Sequence, residues 1–252
     1  MAGHSHWAGI KHKKALIDNK RGKLWGKLSK AVIVAAKMGG GDPDQNPRLR
    51  LAISDAKSGR MPKDTIERAI KKGTGELEGG NFEEIVYEGY GAGGVAVYCD
   101  ILTDNRNRTA PEIRKIFELG DGNLGATGCV AWMFERKGLF LISKENSDED
   151  TLMEIALEAG ADDVELNDDT YEITCSINAF EQVKQALKEK EIETKVTEIS
   201  QVPSNYVNLD LPTARKILDL METLEDHDDV QSVYANFDIS PEILKQIESE
   251  NQ

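Results

Sequence analysis

Hydrophobic positions change their period along this chain. Leu24, Leu28, Ala31, Val32 and Ala35 recur at helical spacing, which predicts a helix from about Asn19 to Met38 that stops at Gly39-Gly40-Gly41. A second helix is announced by Asn46 as N-cap and Pro47 in the first turn, and Gly59 can end it. Its inward stripe is Leu49, Ala52, Ile53 and Ala56. A third runs from Pro62 to Gly73 with Ile66, Ala69 and Ile70 inward. Three apolar stripes suffice for a small bundle.

Past Gly79-Gly80 the pattern shortens to that of strands. Residues 82–90 and 94–102 read as a hairpin about Gly91-Ala92-Gly93. A helix over about 108–119, a Gly-rich loop and a strand over 129–134 follow. From Gly138 the order is strand (139–142), helix (148–159), two strands (162–166, 170–176), helix (178–189) and strand (192–200), a complete βαββαβ unit. Residues 206–209, a helix opened by Pro212 and a strand over 230–237 supply what segment 80–134 lacks. The reading is α+β with three domains. A three-helix head spans 1–78, a discontinuous α/β domain takes 79–134 and 206–240, and a ferredoxin-like domain over 135–205 is inserted in it. Both α/β domains are expected to be ferredoxin-like, and 241–252 reads as a loose polar tail.

Charge gives this layout a direction. Residues 1–72 hold 17 Lys/Arg against 6 Asp/Glu, a net of +11, whereas the other 180 residues hold 14 against 39, a net of −25. A basic head on an acidic body fits a polyanion partner, since neutralised phosphates release condensed counterions. Lys20, Lys23, Lys27, Lys30 and Lys37 lie on one face of the first helix, with no acidic residue among them. If four or five of them meet phosphates, log K should fall with log salt at a slope near about −4 on duplex DNA. In the tail, Lys11, His12, Lys13 and Lys14 add cationic character, and Trp7 can stack on an unpaired base. Arg21, Arg48, Arg50, Lys57, Lys63, Lys71 and Lys72 complete the candidate phosphate contacts, with Arg106 and Arg108 as a secondary pair. The third helix offers Lys63, Asp64, Glu67 and Arg68 near its start, without Asn or Gln for adenine, so phosphate and shape recognition are supported and base readout is not.

Other signals weigh less. A metal site from His4, His6 and His12 lacks carboxylate or Cys partners. The loop Gly120 to Gly128 leads into a strand with no Gly-Lys-Ser/Thr, so a connecting loop is preferred to a phosphate cradle. Glu225-Asp226-His227-Asp228-Asp229 reads as a solvated acidic corner. Cys99, Cys129 and Cys175 sit in or beside apolar runs as buried reduced thiols, which fits a cytoplasmic setting. No apolar run approaches membrane-spanning length, and no nucleophile–base–acid set suggests an enzyme. Neither a cofactor nor a small-molecule substrate is expected.

Several long motifs carry a resemblance. They are Met1-Ala-Gly-His-Ser5 with Trp7 and Ile10-Lys-His12, Asp42-Pro-Asp-Gln-Asn-Pro-Arg-Leu-Arg50, Met61-Pro-Lys-Asp-Thr-Ile-Glu-Arg-Ala-Ile70, Tyr87-Glu-Gly-Tyr-Gly91, Thr103-Asp-Asn-Arg-Asn-Arg108 and Asp228-Asp-Val-Gln231. Over nearly its whole length the chain resembles the YebC/PmpR family, whose relatives include a mitochondrial translational activator of cytochrome oxidase subunit one. It departs from the family pattern at His6, Gly9, Ala92, Cys129 and His227. The resemblance implies a helical head with two α/β domains and a non-enzymatic regulator of gene expression. Bacterial members are described as DNA-binding transcriptional regulators. Other members look like ribosome-associated translation factors, for which ribosomal or transfer RNA would be the partner. A third reading is a protein–protein regulator docking through its acidic α/β body.

Overall fold

The computed structural model describes residues 21–79, 81–167 and 169–250. Three helices form the head: α1 (Arg21–Gly39), α2 (Pro47–Ser58) and α3 (Lys63–Gly73). Asn46 fixes the turn between the first two. Its Oδ1 accepts from the Leu49 amide at 3.0 Å, while its Nδ2 donates to the Ala35 and Gly40 carbonyls at 2.8 and 2.9 Å. One side chain thus caps α2 and closes the end of α1. Val32, Ala35 and Ala36 of α1 meet Leu49, Ala52 and Ala56 of α2 and Ile66 and Ala69 of α3. Gly73 lets α3 approach α1 closely, since a Cβ there would lie 2.4 Å from the Ile33 carbonyl oxygen.

Strands β1 (Glu83–Tyr90) and β2 (Ala96–Thr103) form the expected antiparallel hairpin. Helix α4 (Arg106–Leu119) follows, capped by Asn105, whose Oδ1 accepts from the Arg108 amide. The Gly-rich loop then contributes a short edge strand, β3 (Asn123–Leu124), paired with Gly89 and Tyr90. The expected strand over 129–134 is not there. Residues 131–133 form a single 3-10 turn, and β4 (Phe134–Ser143) starts where that strand was to end. The reason lies in Glu88, whose carboxylate collects the amides of Gly128, Val130 and Ala131 and so removes them from any ladder.

Next come α5 (Glu149–Glu158), β5 (Ala161–Asn167), β6 (Thr170–Cys175), α6 (Phe180–Glu189) and β7 (Val196–Pro203). Their sheet order β5-β6-β4-β7 is antiparallel throughout and is that of a ferredoxin-like unit. After β8 (Val207–Asn208), α7 (Leu211–Asp226) leads to β9 (Val230–Ala235), which joins the first sheet in the order β3-β1-β2-β9. One core therefore draws on Val97, Cys99, Ile113 and Phe117 from before the ferredoxin-like unit and on Ala214, Ile217, Met221 and Val233 from after it. Tyr98 links the two sheets, its ring 5.8 Å from that of Phe134 and 6.1 Å from that of Tyr234.

The chain ends differently from the loose polar tail expected. Residues 237–238 form β10 (Phe237–Asp238) beside β8, and α8 (Pro241–Glu250) follows. Leu244 is buried, and Ile243 and Ile247 pack against the body's core, so three apolar residues at helical spacing hold the segment. Cys99 and Cys175 are buried free thiols, while Cys129 is only half-buried. Among the described residues no helix is long and apolar enough to cross a membrane.

Candidate nucleic-acid interface

The structure divides the predicted cations into two groups. Trp7, Lys11, His12, Lys13, Lys14 and Lys20 lie outside the described residues, and Arg21 opens α1. The lysine face of α1, expected to front a polyanion, instead faces the body of its own chain. Lys23 Nζ donates to the Asp226 carbonyl at 3.2 Å, Lys27 Nζ to the Glu225 carbonyl, and Lys30 Nζ to the Asp228 carbonyl at 3.1 Å. These oxygens close the C-terminal end of α7, where carbonyls lack helical partners and the dipole favours cations. The acidic corner at 225–229, expected to be solvated, is therefore a docking point for the head.

Asp229 is the centre of that contact. It is 3 % exposed. One carboxylate oxygen lies 2.6 Å from Lys30 Nζ, while the other lies 2.6 Å from an Arg108 nitrogen, 2.8 Å from Thr109 Oγ1 and 3.1 Å from Thr103 Oγ1. Burial works to raise its pKa, but the hydrogen bonds from Lys30, Arg108 and Thr109 outweigh it and hold the carboxyl well below its ordinary range. Its amide donates to His227 Nδ1 at 3.1 Å, which leaves Nε2 to donate to Glu112 at 3.0 Å. The motifs 103–108 and 228–231 are thus two halves of one network, and Arg108 serves the fold.

Three further cations are engaged. Lys37 bonds Asn81 Oδ1, and Arg48 makes a two-pronged ion pair with Glu84, one prong at 3.1 Å. Lys63 lies 3.7 Å from the Glu67 carboxylate.

What remains is a second surface on α2, α3 and the turn between them. Arg50 and Lys57, seven residues apart, lie on one side of α2, and both are exposed. Lys71 and Lys72 are exposed on the last turn of α3. Two residues absent from the sequence-based set belong with them, Arg60 and Arg68, both exposed. None of these six side chains pairs with a described residue. Arg68 precedes Lys71 and Lys72 by three and four residues, a spacing that could have flagged it. Arg60 is notable for its backbone, with φ 55° in the left-handed region that favours glycine. The Met61 amide bonds the Ala56 carbonyl and the Arg60 amide that of Lys57, a Schellman closure with arginine where glycine is usual. Trp25 supports the turn from α1, its indole N–H donating to the Gly59 carbonyl at 3.0 Å. Arg106 is exposed at the start of α4.

Chemically, six unpaired cations on a rigid helical pair can neutralise phosphates and recognise backbone shape. Asp64 and Glu67 stand beside Lys63 and Arg68 on α3, which disfavours deep insertion of that helix against phosphates. At the end of the Gly-rich loop, the Glu88 carboxylate occupies the amides of Gly128, Val130 and Ala131 at 2.6–2.8 Å and leaves them no room for an outside anion.

Residues 5–76 match the TACO1/YebC protein N-terminal domain, and residues 82–237 match the TACO1/YebC second and third domain. A probable transcriptional regulatory protein of Natranaerobius thermophilus is 58% identical over 97% of this chain and 99% of its own. Another so named, from Dictyoglomus turgidum, is 56% identical over 98% and 100%. The crystal structure of a conserved hypothetical protein from Aquifex aeolicus superposes with a TM-score of 0.83 at 48% identity, covering 95% of this chain and 99% of that one.

Proposed function

Because the chain belongs to the TACO1/YebC family, with close relatives named probable transcriptional regulatory proteins, we propose that it is a nucleic-acid-binding, non-enzymatic regulator of gene expression. In this reading the phosphate-binding surface is the exposed cation set of α2 and α3, continued by the basic tail at residues 1–20. The observation that carries it is selective: Lys23, Lys27, Lys30, Lys37, Arg48 and Arg108 have internal partners, whereas Arg50, Lys57, Arg60, Arg68, Lys71 and Lys72 have none among the described residues. Cations held out to solvent beside a body of net −25 direct a polyanion to one end of the molecule.

Transcriptional regulation through duplex DNA is the reading closest to the relatives' name. A second reading, a translation factor on ribosomal or transfer RNA, is favoured by the side chains of α3. Its exposed Asp64 and Glu67 suit no phosphate-lined groove, and it presents no Asn or Gln to bases. Both readings share the same phosphate-binding surface.

Fluorescence anisotropy of a short duplex and of a structured RNA tests that surface. The combined variant Lys57→Glu, Arg68→Glu, Lys71→Glu should bind either probe at least about 100-fold more weakly at low salt, with the salt slope shallower by about 3. The three side chains have no internal partner, so thermal unfolding should change little. Wild-type affinity in the triple variant would remove this surface from the account.

A further inference from the structure

The surface beneath the lysine face of α1 has the charge of a polyanion. Four of the five residues from Glu225 to Asp229 are acidic, and the C-terminal end of α7 adds the negative pole of its dipole. Against them, Lys23, Lys27 and Lys30 recur at four and three residues along one helix face. Each ammonium meets a different main-chain oxygen, and Lys30 also meets the Asp229 carboxylate. A row of ammonium groups facing a row of negatively polarised oxygens is the arrangement that a phosphate backbone would offer from outside. Of the neighbouring contacts, Lys37 with Asn81 and Arg48 with Glu84 are polar as well, whereas Phe82 between them packs on the core of the head. Salt screens the polar contacts, and polar interfaces between domains permit relative motion.

We propose that residues 225–229 are an internal polyanion that latches the lysine face of α1 shut, and that a nucleic acid backbone competes for it and releases the head. The inference rests on the nucleic-acid reading above and adds a regulatory step to it. In the latched form the cations of α2 and α3 make first contact. Release then adds Lys23, Lys27 and Lys30 to the bound surface, which strengthens grip after encounter. The latch lowers apparent affinity by the fraction of molecules in which the head is closed.

The test lowers the negative charge of the corner by three without touching a lysine or Asp229. In the full chain, Glu225→Gln, Asp226→Asn, Asp228→Asn should bind a short DNA duplex at least about fivefold more tightly than wild type. Its salt slope should change by less than about 1, since the released lysines join the wild-type complex as well. A control of equal charge change, Asp150→Asn, Glu154→Gln, Glu158→Gln on α5, should stay within about twofold. Acetylation footprinting of the wild type keeps the proposal testable if the corner variant folds poorly. Lys27 and Lys30 should be slow to modify at low salt and speed up as salt rises, relative to Lys63. Equal effects of the two triple variants, or Lys27 and Lys30 unreactive at every salt concentration, overturn the latch while leaving duplex binding intact. If the wild type binds neither duplex nor RNA at low salt, the latch and the nucleic-acid reading fall together.

Discussion

Replacing Asp229 with alanine is expected to destabilise the folded chain by about 2–3 kcal/mol, because Lys30 loses its carboxylate partner in a largely buried place, while Arg108, half exposed, keeps Asp104. The Thr103 and Thr109 hydroxyls lose the same acceptor. Asp229→Asn keeps the shape and removes the charge, so it should cost less, and its cost should depend on pH. The folded-state pKa of Asp229 lies below its unfolded value, so the carboxylate stabilises the fold fully above the unfolded value of about 3.9. That contribution is lost as pH falls through the folded pKa. Asp100 works in the opposite sense, because burial pushes it up to about 6 against the pull of Arg136, and the fold gains from its protonation as pH falls toward about 4. Taking the difference between wild type and Asp229→Asn cancels the Asp100 contribution. Urea unfolding of both proteins between neutral pH and pH 3 should therefore show a gap that is constant near neutrality and begins to narrow below about pH 4. A gap independent of pH would mean that Asp229 acts through shape alone.

The second large effect is expected at Glu88, which is 3 % exposed on β1. Its carboxylate accepts from the amides of Gly128, Val130 and Ala131 at 2.6, 2.8 and 2.7 Å. Tyr90 adds a hydrogen bond to the Cys129 carbonyl at 3.1 Å, so two residues of one strand fix the whole loop before β4. Glu88→Ala removes three charge-assisted bonds and leaves one fully buried amide, that of Val130, without an acceptor. A loss of about 2–4 kcal/mol follows, since the two amides nearer the surface can recover water. Hydrogen exchange should localise the effect, with amides 128–131 losing protection while those of β6 keep theirs. Unchanged exchange at 128–131 would show that the loop is held by other contacts.

Local chemistry made much of this fold legible. Asn46-Pro47 and Gly59 marked α2, and alternating apolar positions with the intervening helices marked the ferredoxin-like unit. What the sequence did not disclose was pairing across distance. Helical periodicity reveals that α1 has a lysine face, but not that the face meets residues about two hundred positions later. The acidic corner was equally visible, and both patches look solvated when each is considered alone. Glu88 was hidden for a similar reason, because an acidic residue at an alternate strand position ordinarily points to water. Its burial depends on amides about forty residues away. At the C-terminus, Ile243, Leu244 and Ile247 carried a helical signal diluted by surrounding polar residues. The candidate interface was mostly legible in Arg50, Lys57, Lys71 and Lys72, but sequence could not separate those cations from the ones the fold uses for itself.

The most direct measurement is to crosslink the protein to nucleic acid with ultraviolet light in cells, then map the nucleotide-bearing peptides by mass spectrometry and sequence the bound strand. Adducts are expected within residues 1–20 and on α2 and α3, centred on 50–72, with the lysine face of α1 added once the head is released. Promoter DNA would identify the transcriptional form of the function, and ribosomal or transfer RNA the translational one. Adducts confined to the acidic sheets over 82–240, with none on the head, would contradict the account.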